Sequence, residues 1–186
     1  MGVSAKLHVY FNYCGWFDPC NLSHRSVIRD ILTDISRVSD LSITSSSLEV
    51  IYRYSKVEPL PQFSCVSSLC VTNFEWLPTF LESFPNLKSL TLVWDCYCWK
   101  IWSEESDKIS FSSVPECLLS SLEFVDIETR IWEDATETKL ARYFLDNSVI
   151  LKKLTLRLHP HQTKDDIFKE ILRIPRRSTT CQVLLL

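Results

Sequence analysis

The stretch Asn86–Trp94, "NLKSLTLVW", reads almost like Ile150–Leu158, "ILKKLTLRL". Each has an apolar residue, a second three positions on, and a third two beyond that: Leu87, Leu90 and Leu92, then Leu151, Leu154 and Leu156. The last two of each set are two apart, so they share one face of a strand, and the first falls at the turn entering it. The same register recurs as Val38, Leu41 and Ile43 in "VSDLSIT", Val66, Leu69 and Val71 in "VSSLCVT", and Leu122, Val125 and Ile127. The starting residues lie 28, 21, 35 and 29 positions apart. Lys6–Tyr13 alternates at Leu7, Val9 and Phe11 and predicts an earlier strand.

Helical spacing fills the intervals. Val27, Ile28, Ile31, Leu32 and Ile35 follow Ser23, a start signal. Leu77, Phe80, Leu81 and Phe84 make a short helix stopped by Pro85. Asp134 with Glu137 forms a capping-box pattern before Leu140, Tyr143 and Phe144, and Thr163 with Asp166 another before Ile167, Phe168, Ile171 and Leu172. A single strand–helix unit cannot bury its apolar edge, so units at this period stack into a continuous core. The expectation is an α/β fold, a leucine-rich-repeat-type solenoid with irregular repeats. The Asn or Cys of regular repeats is missing: Ser46, Phe74, Asp95, Arg130 and His159 stand there. The longest interval holds an insertion around Asp95 to Ser113.

Composition narrows the chemistry. The 186 residues are 46% hydrophobic, which supplies a core, and carry a net charge of −3, which argues against a basic footprint for nucleic acid. No run approaches the roughly 20 apolar residues of a membrane span, and Met1 to Gly15 lacks a signal-peptide pattern. Two glycines, where average usage gives about thirteen, leave no phosphate-cradling loop. Of eight cysteines, Cys65, Cys70, Cys117 and Cys181 sit in apolar, strand-like runs and read as buried hydrophobes. Without framework spacing, they point to a reducing compartment, cytoplasmic or nuclear.

No residue set reads as catalytic. Cys96, Cys98, His159 and His161 have C-x-C and H-x-H spacings, unlike the pairs that hold structural zinc, so neither metal nor cofactor is expected. Cys181 follows Arg176 and Arg177 but lies in an apolar terminal run with Val183 and Leu185, a core setting. The candidate protein-binding residues are Trp94, Tyr97, Trp99 and Trp102, since exposed Trp and Tyr dominate interface hot spots. The same rings also suit the cover of an enlarged repeat. The residues flanking the inward leucines are Ser42 and Thr44, Cys70 and Thr72, Thr91 and Val93, Asp126 and Glu128, and Thr155 and Arg157. They form a mixed, mostly neutral surface. At the start of the stack, Leu7, Val9, Tyr10 and Phe11 lie near an apolar edge, and self-association of the isolated chain is expected there.

The C-terminal third resembles an FBD domain, a module at the end of many plant F-box proteins. The resemblance rests on "VPECLLSSLEFVDI" (Val114 to Ile127), "ETKLARYFLDNSVILKKLTLRL" (Glu137 to Leu158) and "ILRIPRRSTTCQVLL" (Ile171 to Leu185). Its signature residues here are Pro115, Cys117, Leu118, Pro175, Arg176, Arg177, Ser178 and Cys181. Upstream, "LEVIYRYSKVEPLPQFSCVSSLCV" and "LPTFLESFPNLKSLTLVWD" resemble the leucine-rich region that precedes an FBD. The resemblance divides the chain into a repeat region at 1–110 and an FBD at 111–186. It implies a non-catalytic protein-binding module, the substrate-recognition part of a Skp-cullin-F-box ubiquitin ligase. The target is an unknown protein, and Skp-type adaptor and cullin are partners only if an F-box is supplied. No F-box-like stretch precedes the first strand, so the alternative is an F-box-less remnant or interfering paralogue that does not couple to ubiquitination.

Overall fold

A computed structural model describes residues 6–10, 18, 20–72, 77–93, 113–128, 135–157 and 169–186. Its strands are β1 (Lys6–Val9), β2 (Asp40–Ile43), β3 (Ser68–Thr72), β4 (Ser89–Val93), β5 (Phe124–Glu128), β6 (Lys153–Arg157) and β7 (Gln182–Leu185). They pair in chain order into one seven-stranded sheet, every pair parallel. The repeated register becomes two rows of side chains across that sheet. One row is Leu7, Leu41, Leu69, Leu90, Val125, Leu154 and Val183, and the other is Val9, Ile43, Val71, Leu92, Ile127, Leu156 and Leu185. Strand periodicity of two turns both rows to the same face, where the residues of β2 to β6 are buried. The rows loosen at the two ends: Leu7 is exposed, and Val183 and Leu185 are partly buried. β1 is the edge strand, as expected; there Leu7 and Tyr10 are exposed, while Val9 is buried because it continues the second inward row.

The register is held by backbone bonds that the sequence does not encode. At each turn into a strand, one carbonyl takes the N–H groups of the next unit. Ser39 O accepts from Ser67 and Ser68, Ser67 O from Lys88 and Ser89, Lys88 O from Glu123 and Phe124, and Glu123 O from Lys152 and Lys153, all at 2.8–3.2 Å. Lys152 O accepts from Gln182 at 2.9 Å and extends the series to β7. Buried peptide groups need such partners, so units of different length enter the sheet in step. The first apolar residue of each repeat packs beneath its turn: Val66, Leu87, Leu122 and Leu151 are buried, and Val38 is partly so.

The helices α1 (Leu22–Ile35), α2 (Ser45–Ser55), α3 (Leu77–Leu81), α4 (Glu116–Ser120) and α5 (Ala135–Asn147) lie between consecutive strands. Their buried apolar residues join the inward rows in one core, whereas Leu22, Val27 and Leu119 are exposed, Val27 against the sequence expectation. Asn21, not Ser23, caps α1; its Oδ1 accepts from the N–H of Ser23 at 2.9 Å and of His24 at 3.4 Å. The α3 helix ends at Leu81, yet Phe84 beyond it stays buried, stacked on Phe63 with centroids 4.5 Å apart. Residues 169–172 are helical, with Ile171 buried and Leu172 exposed. The proposed start of that helix, from Thr163 to Phe168, lies outside the described residues, as does Asp134 before α5.

The cysteines correct one expectation. Cys117 and Cys181 are buried, but Cys65 is exposed in the turn before β3 and Cys70 is half-exposed. Cys70 stands between the inward Leu69 and Val71, so strand alternation points it to the other face.

Candidate protein-interaction surface

The face opposite the core carries a second set of rows. Parallel register brings His8, Ser42, Cys70, Thr91, Asp126, Thr155 and Leu184 into one line across the sheet. On one side of it runs the row Asp40, Ser68, Ser89, Phe124, Lys153 and Gln182, and on the other the row Thr72, Val93, Glu128 and Arg157. Most of these side chains keep solvent exposure; Thr155, only 4% exposed, is the floor of its region. The sheet thus brings together the flanking residues expected from the sequence to share a surface except Thr44, which stands past β2 at the start of α2 with its hydroxyl on those of Ser46 and Ser47.

The two halves of this face differ. On β2 to β4 it is mostly small and hydroxyl-rich, with Ser42, Ser68, Cys70, Thr72, Ser89 and Thr91 beside a single carboxylate, Asp40, and Val93. On β5 to β7 it holds large and charged groups. Arg157 makes a two-pronged contact with Asp126, its Nε 3.0 Å from both carboxylate oxygens and its Nη2 2.9 Å from Oδ2. This pairing holds the Arg157 guanidinium above its ordinary pKa. The Lys153 ammonium lies over the Phe124 ring, 5.8 Å from its centroid.

The signature residues of the C-terminal third are not on this face; they fasten the units to one another. Pro115 opens α4, and Cys117 and Leu118 behind it are fully buried. Burial pushes the Cys117 thiol up to about 12, which makes it a neutral core group and no nucleophile at ordinary pH. The turn into β7 is held by Ser178 Oγ donating to Leu151 O at 2.6 Å and by Arg176 Nη1 donating to Cys181 O at 2.7 Å. Arg177 contributes its backbone N–H, 2.8 Å from Leu145 O at the end of α5, while its side chain and Pro175 are exposed. Burial also raises the Cys181 thiol, with nearby Arg176 opposing it. Tyr143 OH donates to Ser113 O at 3.2 Å, and Ser113 Oγ donates to Glu82. Local sequence gave no sign of that tie between α5 and the residues after α3.

Trp94, Tyr97, Trp99 and Trp102, with Cys96, Cys98, His159 and His161, lie outside the described residues. Among the described residues, no three of His, Cys, Asp and Glu gather as metal ligands, and no helix is long and apolar enough to cross a membrane.

A parallel α/β sheet with one face buried and the other presented as ordered rows defines a surface-bearing protein, and its C-terminal part is assigned by comparison. The FBD family matches residues 109–156. The chain is 48% identical over 188 residues to the F-box/FBD/LRR-repeat relative At2g05300 of Arabidopsis thaliana, covering 98% of this chain and 42% of the relative. It is 46% identical over 192 residues to F-box/FBD/LRR-repeat protein At1g78750 and 44% identical over 192 residues to F-box/LRR-repeat protein 13, both from the same plant. Each of these two alignments covers 99% of this chain and 41% of the relative. Over nearly its whole length the chain is thus similar to plant F-box/FBD/LRR-repeat proteins, and it spans about two fifths of the length of the relatives it matches. No solved structure matches it. Neither the domain nor the relatives' names indicate an enzyme family.

Proposed function

We propose that this chain is a leucine-rich-repeat-type solenoid ending in an FBD, and that the outer face of its sheet recognises a target protein for an SCF-type ubiquitin ligase. The observation that carries the reading is the unstaggered chain-order register, which turns seven short strands into continuous outer rows. Such a surface binds by shape and side-chain chemistry and needs no cofactor. On this reading residues 1–110 form the repeat region and 111–186 the FBD. The place of action is the cytoplasm or nucleus, where thiols such as Cys117 and Cys181 stay reduced. Skp-type adaptor and cullin join when an F-box is supplied, the domain named in the relatives.

The test is affinity purification from plant cells with mass spectrometry, using the tagged chain with and without a fused F-box. A protein set retained by the wild type and lost from Thr91→Arg supports outer-face recognition; retention by both contradicts it. Adaptor and cullin recovered only with the F-box fusion support the proposed division of labour. Their recovery with the unfused chain refutes that division.

A further inference from the structure

Register on β5, β6 and β7 sets nine outward residues in a grid: Phe124, Lys153 and Gln182; Asp126, Thr155 and Leu184; and Glu128, Arg157 and Leu186 beyond them. Leu186 belongs to it because its N–H still bonds Leu156 O at 2.9 Å. Strand and residue spacing make the grid roughly 10 by 13 Å, the footprint of a short peptide segment. Its charges are unevenly satisfied. Arg157 is neutralised by Asp126, whereas Lys153 has no carboxylate partner among the described residues and rests on the ring of Phe124. Apolar side chains on the grid stay open: Phe124 beside that cation is 39% exposed, Leu184 on the diagonal from it 40%, and Leu186 at the far corner 50%, while Thr155 floors the centre. No described outward residue of β2 to β4 matches this combination.

From this juxtaposition we infer that the outer face of β5 to β7 is the docking site for a protein segment that places a carboxylate beside aliphatic or aromatic side chains. The carboxylate meets Lys153 and displaces it from the ring, and the apolar side chains cover Phe124 and Leu184. A basic segment is disfavoured at Lys153. The inference deepens the target-recognition reading and rests on it.

The experiment is selection of a random peptide phage library on the folded chain, followed by fluorescence anisotropy with the enriched peptides synthesised. The expected consensus has Asp or Glu flanked by large apolar residues. Lys153→Glu and Phe124→Ala should each weaken binding roughly tenfold, as for an interface hot spot. Replacing the peptide's acid by lysine should restore binding to Lys153→Glu. A consensus without an acid, an affinity indifferent to Lys153→Glu, or no enrichment at all overturns the inference. Peptides lost with Thr91→Arg but indifferent to Lys153→Glu would leave outer-face recognition standing and remove only this site. Indifference to both removes the two together. Urea midpoints of the variants, all changed at exposed or half-exposed positions, confirm that each is folded.

Discussion

Replacing Ser178 with alanine isolates the fastening of the last strand. Ser178 is 5% exposed, and its hydroxyl donates to Leu151 O at 2.6 Å, joining the turn into β7 to the turn into β6. Alanine removes the donor and leaves a carbonyl in a buried setting without it. A net hydrogen bond is worth about 1 kcal/mol and an orphaned buried acceptor about 1–3 kcal/mol, so a loss of ~2 kcal/mol is expected. With a urea dependence of ~2 kcal/mol per molar, the unfolding midpoint should fall by ~1 M at unchanged slope. Thr179→Ala, at the exposed neighbour, should stay within about 0.5 kcal/mol of wild type. A Ser178→Ala midpoint no lower than that of Thr179→Ala would refute the assignment. A reduced slope would instead show the last unit unfolding on its own, as repeat arrays permit.

Further outcomes follow from the same packing. Leu90→Ala, at a fully buried inward position, should cost about 2–5 kcal/mol in urea unfolding, and Thr91→Ala beside it about 0.5 kcal/mol or less; equal costs would contradict the strand's two-faced register. Ser148 is fully buried, and its hydroxyl has no partner among the described residues, so Ser148→Ala should leave stability unchanged or raise it by up to about 1 kcal/mol, and a clear loss would expose a bond to that hydroxyl. The folded chain holds the Cys117 proton up to about pH 12 where an ordinary cysteine releases it near 9.0. The native state therefore binds more protons than the unfolded chain in that window, and stability should fall as pH rises through it. Burial raises the Tyr143 phenol in the same direction. Urea midpoints of wild type and Cys117→Val across that range check this, since the variant should lose part of the slope. Of the five described cysteines, under native conditions a thiol reagent should modify exposed Cys20 and Cys65 first, half-exposed Cys70 next, and Cys117 and Cys181 only on unfolding.

The strands were legible because inward residues two apart are a direct imprint of a half-buried strand, and "NLKSLTLVW" and "ILKKLTLRL" became neighbours-but-one, β4 and β6. The α2 helix was not, although its buried Leu48, Val50, Ile51 and Tyr54 follow helical spacing, because Ser45, Ser46 and Ser47 open it as a loop would. The α4 helix has only adjacent Cys117 and Leu118 as buried residues, too few to show a period, unlike α3 of equal length with Leu77, Phe80 and Leu81. The paired backbone bonds between turns leave no mark in side-chain identity, so the strict register surfaced only with the structure. For the surface, alternation located Asp126, Thr155 and Arg157. It did not show that Arg157 is paired with Asp126 while Lys153 rests on Phe124 with no carboxylate among the described residues, which depends on contacts across strands. Ser178, Arg176 and Cys117 entered as signature residues; their work in joining units became visible only through their bonds and burial.

Covalent footprinting of the chain, free and bound to the protein set it retains in plant cells, tests outer-face recognition most directly. The account predicts that binding shields outward residues such as Thr91, Phe124 and Lys153 from modification, while Lys56 after α2 and Lys139 on α5 react as before. Shielding confined to the helices, with the outer rows equally reactive in both states, would contradict it.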